Sequence, residues 1–104
     1  MHFVSARDYT GDHAWDALAL VAFEEPASVR LHWTNAPYVW HVNDGEEVFV
    51  VLDGEVVMHY RDNGVERCQT MRPGDICRAD AGDEHVAHPS GEARILVVEK
   101  IGSI

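Results

Sequence analysis

Six glycines follow one another at spacings of eight to ten residues in this 104-residue chain: Gly45, Gly54, Gly64, Gly74, Gly82 and Gly91. Several of them follow aspartate or asparagine. Such pairs favour tight hairpin turns because both residues tolerate positive φ. Turns this close together leave room only for short strands, so the spacing predicts a sandwich or barrel of antiparallel β-strands.

The segments between these turns have the composition of strands. Residues 47–52 and 55–60 are rich in β-branched and aromatic side chains. Residues 93–99 are apolar on both faces in the middle, as expected for a strand covered on both sides. Further upstream, residues 29–33 alternate between apolar and polar side chains. We therefore predict an all-β fold.

The first quarter of the chain is less regular. Residues 12–23 fit either a short capped helix or an edge strand, and the turn residues at 24–26 favour a strand over residues 18–23. Cys68 and Cys77 are isolated thiols, which we interpret as small buried apolar residues. Five large side chains are expected in the core, where some could also shape a ligand pocket: Trp33, Tyr38, Trp40, Phe49 and Met58.

The net charge of −10 argues against binding to nucleic acid or to anionic membrane surfaces, because both would repel the chain. No apolar run approaches the roughly 18 residues that span a bilayer, and the first residues do not resemble a secretory signal. With only two cysteines, we expect a reduced, cytoplasmic protein. The length predicts a single domain over residues 1–104.

Two histidines and a glutamate stand out as candidate metal ligands. His41 and Asn43 are two residues apart, so in a strand they point to the same side. Glu47 heads a strand whose same-face neighbours are apolar, and a carboxylate there is costly unless it is paired or bound to a cation. His85 opens another short strand. Two imidazoles and a carboxylate form the facial triad that holds iron and related divalent metals.

At these residues the chain resembles the cupin superfamily. The first cupin motif is matched by His41-Val42-Asn43, three residues, Glu47, six residues and Gly54, without the leading glycine of the family. The second is matched by Gly74, five residues, Asp80-Ala81-Gly82, two residues, His85, three residues and Pro89. Asn43 stands where the family has the second histidine of its HxH. Asp80 and Pro89 also depart from the pattern, where the family has proline and asparagine.

The resemblance implies a small jelly roll, or double-stranded β-helix, whose barrel spans about residues 28–100, with residues 1–27 packing on it. It implies His41, Glu47 and His85 as metal ligands. Asn43 is a weaker ligand, or it forms a hydrogen bond that orients His41 or a bound water. The metal is a divalent transition ion: iron, manganese, nickel, zinc or copper. Because imidazoles must be neutral to coordinate, the metal is expected to leave below about pH 5 to 6.

Two functions remain open from the sequence. One is a metal-dependent enzyme that acts on a small molecule as an oxygenase, isomerase or lyase, with Glu46, Glu84 and His88 as weak candidates for an acid or base. The other is a metal-free, non-catalytic module that binds or senses a small ligand. Either form is expected to be a homodimer, and we expect the interface at residues 15–23. The apolar side chains that motivate this expectation are Trp15, Leu18, Leu20, Val21 and Phe23.

Overall fold

The computed structural model describes residues 1–14 and 16–101 of the chain. One short 3-10 helix, Ala6–Asp8, lies within this part, together with nine strands. The strands are β1 (His2–Ser5), β2 (Ala27–Thr34), β3 (His41–Val42), β4 (Glu47–Asp53), β5 (Val56–Asp62), β6 (Val65–Met71), β7 (Asp75–Ala79), β8 (Glu84–Pro89) and β9 (Ala93–Lys100). Within the described residues no helix is long and apolar enough to cross a membrane.

The strands form two antiparallel sheets that pack face to face. One has five strands in the order β1-β7-β4-β9-β2, and the other has four in the order β3-β8-β5-β6. Among these nine strands, only two successive pairs, β1 with β2 and β5 with β6, stay in one sheet, and the chain passes to the other sheet at each of the other six connections. This is a jelly-roll sandwich, so the all-β prediction is confirmed.

The turn glycines adopt the backbone conformation that the sequence pattern requires. Asn63 and Gly64 have φ of 51° and 79°, which is the two-residue hairpin turn expected between β5 and β6. Gly54 has φ of +81°, and a Cβ placed there would lie 2.2 Å from the carbonyl oxygen of Glu92. Glycine is therefore required at position 54 for two reasons, its backbone angle and the close approach of another strand.

The core lies between the two sheets and consists of inward-facing residues at alternating positions along the strands. Phe49 and Met58 belong to it, as expected. Glu47 and Glu99 end the inward-facing rows of β4 and β9, and both are buried. The other members of the core cluster are Val51, Val56, Met71, Cys77, Ala93, Ile95 and Val97.

Three aromatic residues expected in the core are instead exposed. Trp33 is 54% exposed, Tyr38 is 56% exposed and Trp40 is 36% exposed. Trp33 lies on β2, an edge strand that pairs only with β9 and is exposed on both faces over most of its length. Cys68 is also exposed, on the edge strand β6, whereas Cys77 is buried as predicted. For Trp33, the prediction of a core position was wrong because alternation of apolar and polar residues identifies one face of a strand but does not indicate whether another layer covers that face.

Residues 18–23 do not form the predicted strand. Leu18 and Leu20 line a cavity of about 180 Å³ together with Val4 and Ile76 on the outer face of the five-stranded sheet. The side chain of Arg78 donates a hydrogen bond from Nη1 to the carbonyl oxygen of Leu20 at 3.1 Å. The segment therefore lies on the sheet through side-chain contacts instead of joining it by backbone pairing.

Candidate metal centre

The structure brings His41, Glu47 and His85 together at one end of the sandwich. His41 on β3 lies directly opposite His85 on β8, and their ring centroids are 4.4 Å apart. Glu47, the first residue of β4, reaches the same point from the other sheet. One potential ligand atom from each residue lies within 4.8 Å of those of the other two. Three residues separated by up to 44 positions in the chain thus form one compact cluster.

Backbone hydrogen bonds hold the segment between His41 and Glu47 in place. The N–H of Asn43 donates to the carbonyl oxygen of Asp83 at 2.9 Å, and the N–H of Gly82 donates to the carbonyl oxygen of Asn43 at 2.9 Å. The turn before β8 is closed by a hydrogen bond from the N–H of Asp80 to Asp83 Oδ2 at 2.8 Å. The turn before β8 and the segment after β3 are therefore locked to each other, which fixes the approach of both imidazoles.

Each imidazole uses one nitrogen in a hydrogen bond and leaves the other buried without a partner. His41 Nδ1–H donates to the carbonyl oxygen of Val39 at 3.0 Å, and His41 Nε2 has no partner. His85 Nε2–H donates to Asn43 Oδ1 at 2.7 Å, and His85 Nδ1 has no partner. Buried polar atoms without hydrogen bonds are rare and costly in native proteins. The unpaired Nε2 of His41 in a cluster with a buried carboxyl group therefore fits a metal ion. In His85 the nitrogen that faces Glu47 is Nε2, which is hydrogen-bonded to Asn43.

Asn43 is 7% exposed and its side chain engages His85. Of the two roles considered from the sequence, the hydrogen bond is present, but it orients His85 instead of His41. The amide nitrogen of Asn43 is buried without a partner.

Burial keeps Glu47 and His85 uncharged at neutral pH. Burial raises the pKa of Glu47 to about 8, helped by a hydrogen bond to Glu99 and by the negative charges of Glu99 and Asp44. Burial also lowers the pKa of His85 to about 4, helped by repulsion from His41. Glu47 Oε1 and His85 Nε2 are 3.9 Å apart. With pKa values shifted in these directions, this contact joins two uncharged groups at neutral pH and is not an ion pair.

Glu99 is the one buried acidic residue of this region that sequence reasoning did not single out. It lies on β9 directly opposite Glu47, is 7% exposed, and hydrogen-bonds the carboxyl group of Glu47. It shares its face with Ala93, Ile95 and Val97, all buried. The argument that identified Glu47, a carboxylate on an otherwise apolar face, would also have identified Glu99.

The remaining candidates for an acid or base do not join the cluster. Glu84 forms an ion pair with Arg61, whose guanidinium lies 4.3 Å from the ring centroid of Trp40. His88 contacts His59, with ring centroids 4.4 Å apart. Glu84 and His88 alternate with His85 along β8 and so face away from the cluster. Glu46 precedes Glu47 and is half-buried.

A second cavity, of about 210 Å³, opens between β1 and β6 and is lined by residues that include Phe3, Gln69 and Met71. Neither this cavity nor the one beside Leu18 is lined by His41, Glu47 or His85. Both are smaller than the pockets of roughly 300 Å³ or more that hold drug-sized ligands.

Comparison with protein families and curated proteins gives two results. Residues 31–99 match a family model described as the cupin domain. A segment of 61 residues, 59% of the chain, is 31% identical to 3-hydroxyanthranilate 3,4-dioxygenase from Bos taurus. That segment spans only 21% of the bovine protein.

Solved structures share the fold at low sequence identity. A cupin-2 domain protein from Shewanella frigidimarina superposes with a TM-score of 0.64 at 23% identity, over 86% of this chain and 84% of that one. Streptomyces albus HEPD, solved with 2-hydroxyethylphosphonate and Fe(II) bound, has a TM-score of 0.64 at 17% identity. The match covers 71% of this chain and 18% of HEPD. At these identities the structures support the fold alone.

Proposed function

The chain belongs to the cupin family, and on this premise we propose that His41, Glu47 and His85 bind one divalent transition metal between the two sheets and that a small molecule binds there. The approach of the three side chains to within 4.8 Å of one another carries this proposal. The unpaired, buried Nε2 of His41 supports it, because this atom lacks any other partner among the described residues.

The residues of the chain supply binding and orientation. The hydrogen bond from His41 Nδ1–H to the carbonyl oxygen of Val39 fixes the tautomer in which Nδ1 carries the proton. The lone pair is then on Nε2, and this nitrogen is the one available to a metal. Glu47 adds one negative charge once its proton has left. A bound divalent ion would polarise a small-molecule oxygen or activate dioxygen.

The first experiment is elemental analysis of untagged protein and of the His41→Ala and His85→Ala variants. We expect close to one metal ion per chain in the natural protein and loss of most of it in both variants. His32→Ala is the matched control, because His32 is an exposed histidine on β2. Equal metal content in all four proteins would refute the proposed site.

Fe(II) is the first ion to test, ahead of manganese, nickel, zinc and copper. The support comes from relatives: the bovine protein is a dioxygenase and the S. albus protein was solved with Fe(II). Within this proposal the reaction is that of an oxygenase, an isomerase or a lyase. The test is oxygen consumption by the Fe(II)-loaded protein in the presence of a panel of small phenolic acids and hydroxy acids. An oxygenase consumes oxygen with its substrate, whereas an isomerase or a lyase does not.

A metal-free binding or sensing module is the second candidate function. The hydrogen bond between His85 and Asn43 favours it, because it satisfies the nitrogen of His85 that faces Glu47 without any ion. Natural protein that contains no metal, and that takes up none after incubation with each candidate ion, would support this module over the metal-dependent enzyme.

We also propose that the chain is a homodimer, formed through the outer face of the five-stranded sheet. The strand register gives this face two rows of five residues, one from each of the five strands. They are Val4, Ile76, Val50, Leu96 and Leu31 in one row and His2, Arg78, Val48, Val98 and Val29 in the other. Neither row contains an acidic residue, although the chain has 18 acidic residues in all.

A second copy of the chain is the occupant that suits this face. Val29 and Leu31 are each 66% exposed, and β2 has no strand on its outer side. If β2 paired antiparallel with its own copy about Leu31, Val29 would lie opposite Trp33, so that apolar side chains would meet on one face. Two chains of charge −10 would repel each other least where the rows lack carboxylates. Leu18, Ala19 and Leu20, which belong to the segment 15–23 that the sequence predicts as the interface, line a cavity at the β1 end of the same face. Trp15 of that segment lies outside the described residues.

Light scattering tests the dimer. We expect twice the chain mass for the natural protein and a monomer for Leu31→Arg. Val65→Arg is the control, because Val65 is a 55% exposed apolar residue on β6 of the other sheet. A natural protein that stays monomeric at micromolar concentration would contradict the dimer.

We further propose that residues 1–104 form one domain and that the protein is cytoplasmic. The two cysteines support a reducing compartment, since both are free and lie on different sheets.

A further inference from the structure

Two further histidines form a pair on the outer face of the four-stranded sheet, the face turned away from the candidate metal centre. We propose that His59 and His88 bind a transition metal ion, Zn²⁺ in the first place, at a second site. The two imidazole rings supply the donors of the protein, and water fills the other coordination positions. This proposal does not depend on whether the candidate metal centre holds an ion.

Strand parity and register place the two rings on one face. Met58 on β5 and Ala87 on β8 are direct partners, and both pack in the core. The residue after each of them, His59 and His88, therefore faces outward. His59 lies opposite Val86 in the register, and His88 is two residues further along β8. Such diagonal neighbours are about 7 to 8 Å apart at the backbone, which is within reach of their side chains.

The distance between the two rings equals that between the two imidazoles of the candidate metal centre. The ring centroids of His59 and His88 are 4.4 Å apart, with the ring planes inclined at 48°. Those of His41 and His85 are also 4.4 Å apart, with an inclination of 56°. Two imidazoles that bind one ion with Zn–N distances of about 2.0 to 2.1 Å come similarly close. Four of the seven histidines thus form two pairs of similar geometry, one on each face of the same sheet.

The ring nitrogens of this pair have no other partner. Among the described residues, His59 and His88 form no hydrogen bond and no ion pair, and their ring contact is with each other. Both residues are half-buried. Their nitrogens are not among the fully buried, unpaired atoms of the described residues, so an ion can reach them from solvent.

The backbone beneath the two rings is held by neighbouring strands. His59 lies in the middle of β5, which pairs with β6 on one side and with β8 on the other. Next to His88, the carbonyl oxygen of Ala87 accepts a hydrogen bond from the N–H of Tyr38 at 3.2 Å. A paired backbone keeps the two side chains close before an ion arrives, which lowers the entropy cost of binding.

The surroundings of the pair favour an ion that prefers imidazole. Arg61 lies two residues after His59 on the same face, and its ion pair with Glu84 offsets its positive charge. Within the part of the chain that the structure describes, the one cluster of three or more potential ligand residues is the centre at His41. Imidazole donors suit Zn²⁺, Ni²⁺ and Cu²⁺, whereas Mn²⁺ prefers oxygen. With two protein donors instead of three, the outer pair is the weaker site, and we expect it to fill only when free ion is supplied.

The test is calorimetric titration of Zn²⁺ into the His41→Ala variant, in which the candidate metal centre has lost a ligand. We expect about one Zn²⁺ per chain, and loss of this binding when either His59→Gln or His88→Gln is added. His32→Gln is the matched control, because His32 is an exposed histidine on β2, and we expect it to change nothing. Zn²⁺ binding that survives both His59→Gln and His88→Gln would overturn the second site. Zn²⁺ binding to the natural protein that His41→Ala abolishes completely would also overturn it, and would leave the candidate metal centre standing.

Nuclear magnetic resonance of the imidazole rings locates the ion without any substitution in the pair, so this test does not require the glutamine variants to fold. In His41→Ala, we expect the ring signals of His59 and His88 to shift together and to saturate at about one Zn²⁺ per chain. The ring signals of His32 should stay in place. Shifts of equal size at all three histidines would show an adventitious ion only and would overturn the proposal.

Discussion

Asn43 and His85 are joined by one short hydrogen bond, in which His85 Nε2–H donates to Asn43 Oδ1 at 2.7 Å. The same nitrogen of His85 faces Glu47 Oε1 at 3.9 Å. Asn43 therefore holds the nitrogen of His85 that points toward the rest of the cluster. A cation that bound this nitrogen would displace Asn43, so we expect the asparagine to lower the affinity of the proposed site for a metal.

Replacing Asn43 by histidine should strengthen metal binding. The substitution removes the competing amide and adds an imidazole donor, so we expect a gain of at least about tenfold in the affinity for Zn²⁺. Competition against a coloured chelator measures it. Asn43→Ala is the control for simple release of His85, and a gain as large in Asn43→Ala would show that the added donor contributes nothing.

Metal affinity should rise with pH until the carboxyl group of Glu47 is ionised. The pKa of Glu47 is raised to about 8 by burial and by Glu99, and a metal must displace its proton. His85 has a pKa lowered to about 4 and is already neutral. We expect about a tenfold gain in affinity per pH unit between about pH 6 and pH 8, and little change above.

This pH dependence differs from the sequence-based expectation of release below about pH 5 to 6 by histidine protonation. We expect the carboxyl group of Glu47, and not an imidazole, to set the pH dependence of metal binding, because Glu47 is buried beside Glu99 and its pKa is raised to about 8. Chelator competition at four pH values checks it. An affinity that is flat from pH 6 to pH 8 would contradict the assignment of Glu47 as a ligand.

The metal-free protein should lose stability as the pH rises. The folded protein holds the proton of Glu47 more tightly than the unfolded chain, so this contribution is complete below about pH 4.5 and is lost as the pH rises through about 8. His85 acts in the opposite direction, and its contribution is complete above pH 6.5 and lost as the pH falls through about 4.

Between about pH 6.5 and pH 8.5 only Glu47 of these two groups titrates, so the free energy of unfolding should fall by about 2 kcal/mol. Glu47→Gln cannot ionise and should show no such fall. Urea unfolding in the presence of chelator measures both proteins. The same fall in Glu47→Gln as in the natural protein would assign it to another group.

Gly54→Ala should destabilise the fold far more than Gly64→Ala. Both glycines have positive φ, of 81° and 79°, so alanine is strained equally at either position. A Cβ at Gly54 would lie 2.2 Å from the carbonyl oxygen of Glu92, whereas nothing lies within 4 Å at Gly64. We expect about 1 kcal/mol for Gly64→Ala and at least about 3 kcal/mol for Gly54→Ala in urea unfolding. Equal losses would show that the strand from Glu92 can move away.

Glu84→Gln should leave metal binding unchanged. Glu84 is paired with Arg61 on the face of β8 turned away from His85. Because the pair is partly exposed, its loss should cost at most about 1 kcal/mol of stability. Metal titration and urea unfolding of this variant check both statements, and a loss of metal affinity would return Glu84 to the site.

Much of the candidate site was predictable because it depends on local chemistry. His41, Glu47 and His85 were identified from residue type, strand parity and motif spacing, and the structure brings these three together. Glu99 was missed although it obeys the same rule as Glu47. Residues 93–99 are apolar on both faces in the middle, which predicts a strand covered on both sides, and a single acidic residue at the end of the run does not change that prediction.

The exposed aromatic residues show which feature of the fold could not be predicted from the sequence. Trp33 and Leu31 alternate as core residues do, yet they lie on an edge strand with no layer over them. Residues 18–23 are apolar enough for a strand, but they rest on the sheet without backbone pairing. The alternation of apolar and polar residues along a segment predicts which side chains share a face, but it does not predict what covers that face.

The sequence by itself determined the turns, the strands after position 40 and the chemical identity of three cluster residues, because positive φ, alternation and ligand chemistry are properties of single residues and near neighbours. Only the tertiary structure decided that Glu99 lies opposite Glu47, that Asn43 hydrogen-bonds His85 and that the apolar side chains of β2 remain exposed at the edge of the five-stranded sheet. Those relationships join strands distant along the chain, and the packing of the two sheets sets the distances between them.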